Sequence, residues 1–294
     1  MSHTPDYNSP SALNAFLEEN DMGMQKKFGQ NFLINQTARE KLAEATEIKE
    51  NTSVWEVGPG LGALTSELLK RSATVTAFEI DRGFSQALAT IFTDEIKSNH
   101  FSLVTGDFLK TWKTEFQKHG IPDRFFGNLP YNVGAIIIGD LINNGVRFNK
   151  SVVTVQKEVA LRMEAKPSSK NYSSFSILCQ WAYDIYPLMD LSGGSFWPRP
   201  NVNSRAVVMN KKENFPGCTH PKHFMNLQRS LFISRRKTIK NNLSRFYKDG
   251  DLASAVLEKA KIAPSARAET LSLQTLLNLS DISAEIQNLK VESW

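Results

Sequence analysis

Asn128-Leu129-Pro130-Tyr131 is the stretch whose residue types most directly suggest chemistry. The carboxamide oxygen of Asn128 and the backbone carbonyl of Leu129, its geometry held by the fixed φ of Pro130, offer two adjacent acceptors. Such a pair suits an exocyclic amine such as N6 of adenine, whose lone pair is delocalised into the ring. Accepting both N–H bonds draws the nitrogen towards tetrahedral geometry and frees the lone pair to attack an electrophile. The ring of Tyr131 adds a flat face for a base to stack on. Alone, the tetrapeptide is equally compatible with an ordinary proline turn capping a strand.

The flanking elements have to hold that turn in place. Arg124-Phe125-Phe126-Gly127 reads as a short buried strand, and the apolar run after Asn132-Val133-Gly134 reads as a helix. Upstream, Val54-Trp55-Glu56-Val57 leads into Gly58-Pro59-Gly60-Leu61-Gly62, and Ala63 to Leu69 follows at helical period. Strand, glycine turn and helix open a parallel α/β nucleotide site, with Gly58 and Gly60 letting the backbone approach a ligand. The spacing is not that of a dinucleotide fold, and Pro59 stands where a phosphate cradle needs an N–H. A loop beside an amino-acid moiety and a ribose is the better reading, which favours S-adenosylmethionine over NAD.

Two further strand ends carry suitable groups. A strand from Ala73 to Ile80 ends in Glu79-Ile80-Asp81, and an acid about 20 residues past the first glycine is where a ribose diol is gripped. Glu79 follows directly on the strand and is chosen over Asp81. A third strand, Phe101 to Val104, leads to Gly106-Asp107-Phe108, where Asp107 can accept from the cofactor's adenine amino group with Phe108 beside the ring. Each acid singly reads as a solvated turn residue. Successive strands each ending in a fitting group point to a site.

The chain has 294 residues and a formal charge of +5, with a sequence pI of about 9.1. The length allows one large α/β domain and a small appendage. The charge agrees with a nucleic-acid partner without requiring one. Cys179 and Cys218 have no metal-ligand or paired spacing, and no His/Cys cluster suggests a metal, so a reducing cytoplasm is expected. No stretch reaches the ~18 apolar residues of a membrane span, and no secretory signal is expected.

Residues 1–25 read as a disordered extension, apart from a short helix that Ser11 could cap. A catalytic domain is expected over residues 26–213; strands and helices alternate over about residues 36–209 of it, with later strands at Lys150–Val155, Asp184–Met189 and Ser204–Met209. Residues 214–294 read as a small all-helical domain, with helices over Pro221–Phe232, Arg235–Tyr247, Leu252–Lys261 and near Leu273–Leu279. Arg235-Arg236-Lys237, with Lys240 and Arg229, falls in this domain. A charge run is usually a solvated face; beginning a helix of an RNA-facing domain, it reads as an RNA-backbone contact. Lys26 and Lys27 could add charge, as could Lys157, Arg162, Lys166 and Lys170.

The chain resembles the KsgA-type small-subunit (16S) ribosomal RNA adenine dimethyltransferases over about residues 26 to 280. The resemblance is carried by Lys27-Phe28-Gly29-Gln30-Asn31-Phe32-Leu33, Glu56-Val57-Gly58-Pro59-Gly60, Glu79-Ile80-Asp81, Gly106-Asp107, Gly127 to Asn132, Val155 to Val159, Phe196-Trp197-Pro198 and Arg235 to Leu243. It implies a Rossmann-like α/β S-adenosylmethionine-dependent methyltransferase domain with a small C-terminal all-helical domain. It implies cofactor contacts at Asn31, Leu33, Gly58, Glu79, Asp107 and Asn128, and a target adenine between Tyr131 and Phe196. The expected reaction dimethylates N6 of two adjacent adenosines in a hairpin near the 3' end of the small-subunit rRNA during 30S biogenesis. S-adenosylhomocysteine is the product and no metal is required. The expected enzyme is a cytoplasmic monomer with no membrane association, acting on a pre-30S particle.

Two departures touch the target-base pocket. Pro198-Arg199-Pro200-Asn201-Val202-Asn203-Ser204 replaces a proline run followed by Lys-Val-Asp-Ser, and Ser173 stands where Gly is usual. The rivals are an erythromycin-resistance methylase of large-subunit rRNA and a ribosome-assembly or transcription factor that keeps the fold without catalysis. A DNA adenine methylase is weaker, since no target-recognition domain is visible.

Overall fold

The structure, a computed structural model, describes residues 4–24 and 30–290. Lys26 and Lys27, with the rest of the Lys27-Phe28-Gly29 opening, lie outside the described residues. In chain order the elements are α1 (Pro10–Glu19), β1 (Phe32–Leu33), α2 (Gln36–Glu44), β2 (Ser53–Val57), α3 (Ala63–Leu69), β3 (Thr74–Glu79), α4 (Arg82–Ile91) and α5 (Thr93–Lys97). Then come β4 (Phe101–Thr105), α6 (Phe108–His119), β5 (Arg124–Asn128), α7 (Gly134–Asn143), β6 (Lys150–Gln156), α8 (Lys157–Met163), α9 (Ser174–Ala182), β7 (Tyr183–Leu191), β8 (Phe196–Trp197) and β9 (Ser204–Lys211). The last four helices are α10 (Pro221–Leu231), α11 (Ile239–Tyr247), α12 (Gly250–Lys259) and α13 (Leu273–Ile286).

Seven strands form one sheet in the order β4-β3-β2-β5-β6-β9-β7. The pairs β2–β3, β3–β4, β2–β5 and β5–β6 are parallel, and β6–β9 is antiparallel. From β2 the chain winds outward through β3 and β4, then returns to the other side of β2 for β5 and β6. The order reverses between β2 and β5, so the helices that follow diverge and leave a crevice at the carboxyl ends of these strands. Both the glycine turn and the Asn-Leu-Pro-Tyr turn are at those ends. Among the described residues no helix is long and apolar enough to cross a membrane.

The chain divides into two compact units. One comprises Met1–Asp140, Arg147–Ala160 and Tyr186–Asn210; the other comprises Leu141–Val146, Leu161–Ile185 and Lys211–Trp294. The segment around α9 thus groups with the C-terminal helices.

Within the first unit an aromatic layer backs the parallel strands. Trp55 of β2 packs edge-on against Phe78 of β3 at 5.2 Å, and Phe78 against Phe108 at 4.9 Å. Contacts of this kind add about 0.5–1.5 kcal/mol each beyond area burial, and here they hold Phe108 at the end of β4.

The N-terminal extension requires a correction, because residues 4–24 are ordered. Ser9, not Ser11, caps α1 by accepting from the N–H of Ala12 at 3.2 Å, and Pro10 takes the first helical position. Leu13, Phe16 and Leu17 share one helical face and are buried in the same core as Phe32, Leu33 and Leu61. Three apolar residues in a polar stretch are a weak sequence signal, but burying all three stabilises the docked helix by several kcal/mol on the usual scale of about 1.5–3 each.

In the second unit, Leu227, Leu231, Ile239 and Leu243 are buried as their spacing predicts. Trp181 of α9 packs edge-on against Phe224 at 4.8 Å and donates to the Pro216 carbonyl at 2.6 Å. Ser173 caps α9 in a reciprocal box with Ser176, which gives this departure a local helix-capping role. The helix expected over Arg235–Tyr247 starts later. Thr238 is the cap of α11, accepting from Asn241 at 3.4 Å, so Arg235-Arg236-Lys237 lies in the turn before it.

Candidate active site

The crevice in the first unit holds a cavity. It is walled by Asn31 and Leu33 on one side, by Gly58 to Gly60 at the floor, and by Glu79, Ile80, Asp107 and Phe108 beyond. Asn128 to Val133 close it. Of the residues expected to contact cofactor, Asn31, Leu33, Gly58, Gly60, Glu79, Asp107, Phe108 and Asn128 all line this one space. Strands β2 to β5, separate in sequence, converge on it because their carboxyl ends share the edge of the sheet where the winding reverses, and β1, paired with β8, adds Leu33.

The glycine turn needs glycine for a physical reason. Gly60 adopts φ +59°, and a Cβ there would approach the Phe32 ring to 3.0 Å. Its N–H donates to Oε2 of Glu79 at 3.2 Å, while the Asp81 N–H donates to Oε1 at 2.8 Å. Glu79 is buried, and desolvation pushes its carboxyl up to about 7. Asp81 caps α4, accepting from Gly83 and Phe84 at 2.8 and 3.3 Å. The two acids therefore have separate work: Asp81 ends a loop, and Glu79 faces the cavity. Asp107 caps α6 through Oδ1, which accepts from Leu109 at 3.0 Å, and it also lines the cavity.

Beneath the glycine turn, Glu56 is fully buried, accepts from the Thr65 hydroxyl at 2.7 Å, and has its carboxyl pushed up to about 8 by burial. It does not reach the cavity and supports the strand-to-helix turn from below.

Asn128 is the most constrained side chain of the site. Its Nδ2 donates to the Asn31 carbonyl at 3.0 Å, which fixes the amide's orientation. That leaves Oδ1 as the free acceptor of the amide, and this atom is buried without a hydrogen-bond partner. A buried, unsatisfied carboxamide oxygen costs stability unless a ligand donates to it. Leu129 is fully buried, with its N–H on the Thr154 carbonyl at 3.0 Å. The Pro130 carbonyl accepts from Val133 and Gly134 at 3.1 and 2.8 Å and starts α7. At Gly127 a Cβ would come within 2.6 Å of the Val57 carbonyl, so only glycine lets β5 lie this close to β2 just before the turn.

Tyr131 lines the cavity half-buried, and its hydroxyl hydrogen-bonds the Ser204 hydroxyl of β9. Phe196 is not among the residues that line the cavity. Strand β8 pairs antiparallel with β1, Leu33 opposite Phe196, and the Phe196 ring turns into the core at 3% exposure. Its neighbour Trp197, partly buried, stacks on Phe32 at 6.1 Å and packs against the same core.

Among the cavity residues that escaped the sequence reading, two carry polar or exposed apolar groups of note. Ile80 is 41% exposed between two acids, and an exposed large apolar side chain one step past a strand end was the available signal. Gln30 lines the rim and donates to Asp81 at 3.4 Å. The residues present fit a nucleoside bearing an amino-acid arm: a buried carboxylate for a diol, an aromatic and an aliphatic face for a base, and an unsatisfied acceptor beside the glycine turn.

A family model described as "Ribosomal RNA adenine dimethylase" matches residues 22–285. The chain belongs to the ribosomal RNA adenine dimethylase family. Within this family, it is 45% identical over 281 residues to a Treponema denticola protein named "Ribosomal RNA small subunit methyltransferase A", covering 95% of this chain and 96% of that one. A Treponema pallidum protein of the same name is 42% identical, covering 94% and 97%. The solved structure of a dimethyladenosine transferase from Plasmodium falciparum aligns with TM-score 0.70 and 26% identity over 83% of this chain and 94% of that one. The fold is shared as well with the 23S rRNA methyltransferase ErmE, at TM-score 0.61 and 21% identity over 85% of this chain and 98% of that one. Membership accounts for the Rossmann-like α/β fold with C-terminal helices, and for the use of S-adenosylmethionine.

The basic residues expected to touch RNA are in the second unit. Arg229, Arg236, Lys237 and Lys240 are exposed. Arg235 differs: its guanidinium is bound to Glu269 at 2.7 and 2.8 Å and donates to the Lys170 carbonyl at 3.0 Å. Of the additional cations, Lys157 pairs with Asp190 at 2.8 Å and Arg162 packs over the Phe175 ring at 5.3 Å.

Proposed function

We propose that this chain is an S-adenosylmethionine-dependent rRNA adenine-N6,N6-dimethyltransferase acting on the small ribosomal subunit. The observation that carries the reading is the Asn128 amide, pinned by Asn31 so that a buried acceptor oxygen is left beside the glycine turn. S-adenosylmethionine supplies the sulfonium-bound methyl group and leaves as S-adenosylhomocysteine. Glu79 accepts the ribose hydroxyls, Asp107 accepts the cofactor's adenine amino group, and Phe108 and Ile80 flank the base. Gly58, Gly60, Asn31 and Leu33 line the amino-acid arm.

On the substrate side, Oδ1 of Asn128 and the Leu129 carbonyl accept the two N6 hydrogens, which localises the lone pair for in-line attack. Tyr131 supports the unstacked base. The nitrogen becomes acidic once alkylated and loses its proton to water, so no strong base is needed. Positioning and a preorganised acceptor pair do the catalysis, and the displacement asks nothing of a metal.

The substrate under this reading is a pair of adjacent adenosines in a hairpin near the 3' end of 16S rRNA, presented by a pre-30S particle to a cytoplasmic monomer. The helical segment 214–294 supplies RNA-backbone contacts through Arg229, Arg236, Lys237 and Lys240. The large-subunit and non-catalytic alternatives are not favoured, since the 42–45% identical relatives carry a small-subunit methyltransferase name. Methyl transfer from labelled cofactor to unmodified 30S particles, with 50S particles in parallel, tests this. Label in 30S rRNA as N6,N6-dimethyladenosine is expected; label confined to 50S, or none, refutes it.

A further inference from the structure

The N-terminal segment touches two walls of the cavity from behind without entering it. The Tyr7 hydroxyl donates to the Leu61 carbonyl at 2.8 Å, and Leu61 stands between the glycines of the turn whose Gly60 N–H meets Glu79. Arg39 of α2, itself 4% exposed, donates through one terminal nitrogen to the Leu33 carbonyl at 2.8 Å. Its other terminal nitrogen donates to Oδ1 of Asn8 at 2.6 Å. The guanidinium also lies 5.9 Å from the Tyr7 ring centre. One face of α1 then clamps the segment to the core that holds Phe32, Leu33 and Leu61. Neither Tyr7 nor Arg39 lines the cavity.

We infer that residues 6–17 form a strap that sets the spacing between the β1 wall and the glycine turn, with Tyr7 and Arg39 as positioning residues for cofactor binding. The inference rests on the reading of the cavity as the S-adenosylmethionine site. Both contacts end on backbone carbonyls, so each ties down main chain that side-chain packing alone would leave free to shift. The Leu33 and Leu61 carbonyls are held by one continuous run, Tyr7-Asn8, directly in one case and through Arg39 in the other. Arginine suits position 39 because its planar fork carries separate terminal nitrogens that reach Leu33 and Asn8 together.

The test is calorimetric titration of the full-length protein with S-adenosylmethionine, together with steady-state methyl transfer to 30S particles. Tyr7→Phe keeps the ring and removes one neutral hydrogen bond, so cofactor affinity falls about threefold to tenfold. KM for cofactor rises in step, while kcat at saturating cofactor and KM for the particle stay at the wild-type values. Arg39→Lys gives the same split. Met209→Ala, in buried β9 and away from the cavity, lowers Tm but leaves cofactor affinity unchanged. Wild-type affinity in Tyr7→Phe overturns the inference, as does a loss of affinity in Met209→Ala equal to that in Tyr7→Phe. Glu79→Ala separates the two levels. If it weakens cofactor binding while Tyr7→Phe does not, the strap alone is wrong; if it leaves binding unchanged, the cavity reading falls and the strap with it.

Discussion

Replacing Asn128 isolates the chemical step. Asn128→Ala removes two things: the Nδ2 donor to the Asn31 carbonyl at 3.0 Å, and the buried Oδ1 acceptor that has no partner within the protein. The first is an ordinary hydrogen bond, and its loss lowers folding stability by about 0.5–1.5 kcal/mol. Under the proposed mechanism the second is a preorganised acceptor for the reacting amine. By analogy with one oxyanion-hole donor, its loss raises the barrier by about 2.7–4 kcal/mol, a hundredfold to a thousandfold in turnover. Asn128→Asp keeps an acceptor but sets a carboxylate oxygen against the Asn31 carbonyl where an N–H now donates. That repulsion displaces the side chain, so the Asp variant also weakens cofactor binding, which the Ala variant does far less. Single-turnover methyl transfer with cofactor and RNA both saturating reads the barrier free of affinity. A rate in Asn128→Ala within threefold of wild type would refute the acceptor mechanism and leave the Asn-Leu-Pro-Tyr turn a purely structural device.

Glu79→Ala removes the charged acceptor of the ribose diol, and calorimetry should show a loss of roughly 1.5–3 kcal/mol in cofactor affinity. Burial raises this carboxyl from the ordinary 4.5 to about 7; the folded protein therefore binds its proton more tightly than the unfolded chain, and Glu79's contribution to stability is full below pH 4.5 and lost as pH rises to about 7. Cofactor affinity should run the other way, strengthening through about pH 7 as the carboxylate forms, and Glu79→Gln should flatten that profile. Tyr131→Phe breaks the hydroxyl bond to Ser204 and should raise KM for RNA a few-fold with kcat nearly intact, whereas Tyr131→Ala should lose most activity with the stacking face; equal behaviour of the two variants would count against stacking. Neutralising Arg236, Lys237 and Lys240 should reduce the slope of log affinity against log salt by about 0.7–0.9 per lost phosphate contact. Arg235→Ala should instead lower Tm by releasing Glu269, with little change in that slope.

Much of the site could be read from the chain because its parts are local. A glycine turn between strand and helix, an acid closing the next strand, and a proline that fixes the residue before it are each settled within a few residues. Local chemistry of this kind marks Glu79, Asp107 and Asn128 as candidates, and all three line the one cavity. The alternation of strands and helices predicts a parallel α/β sheet, but the strand order β4-β3-β2-β5-β6-β9-β7 is decided only in the fold. What sequence could not supply were pairings across long separations. The Tyr131 hydroxyl meets Ser204 from 73 residues away, Arg235 meets Glu269 across 34, and the Asn128 amide is oriented by Asn31 across 97. Each depends on which strands and loops become neighbours, a property of register and packing that leaves no local periodicity. Phe196 and Trp197 are adjacent aromatics in sequence, and only the pairing of β8 with β1 sets Phe196 opposite Leu33 and Trp197 opposite Phe32. The N-terminal helix is the converse case: three apolar side chains are too few to announce a core element, yet the face they fit was already built by residues further along the chain.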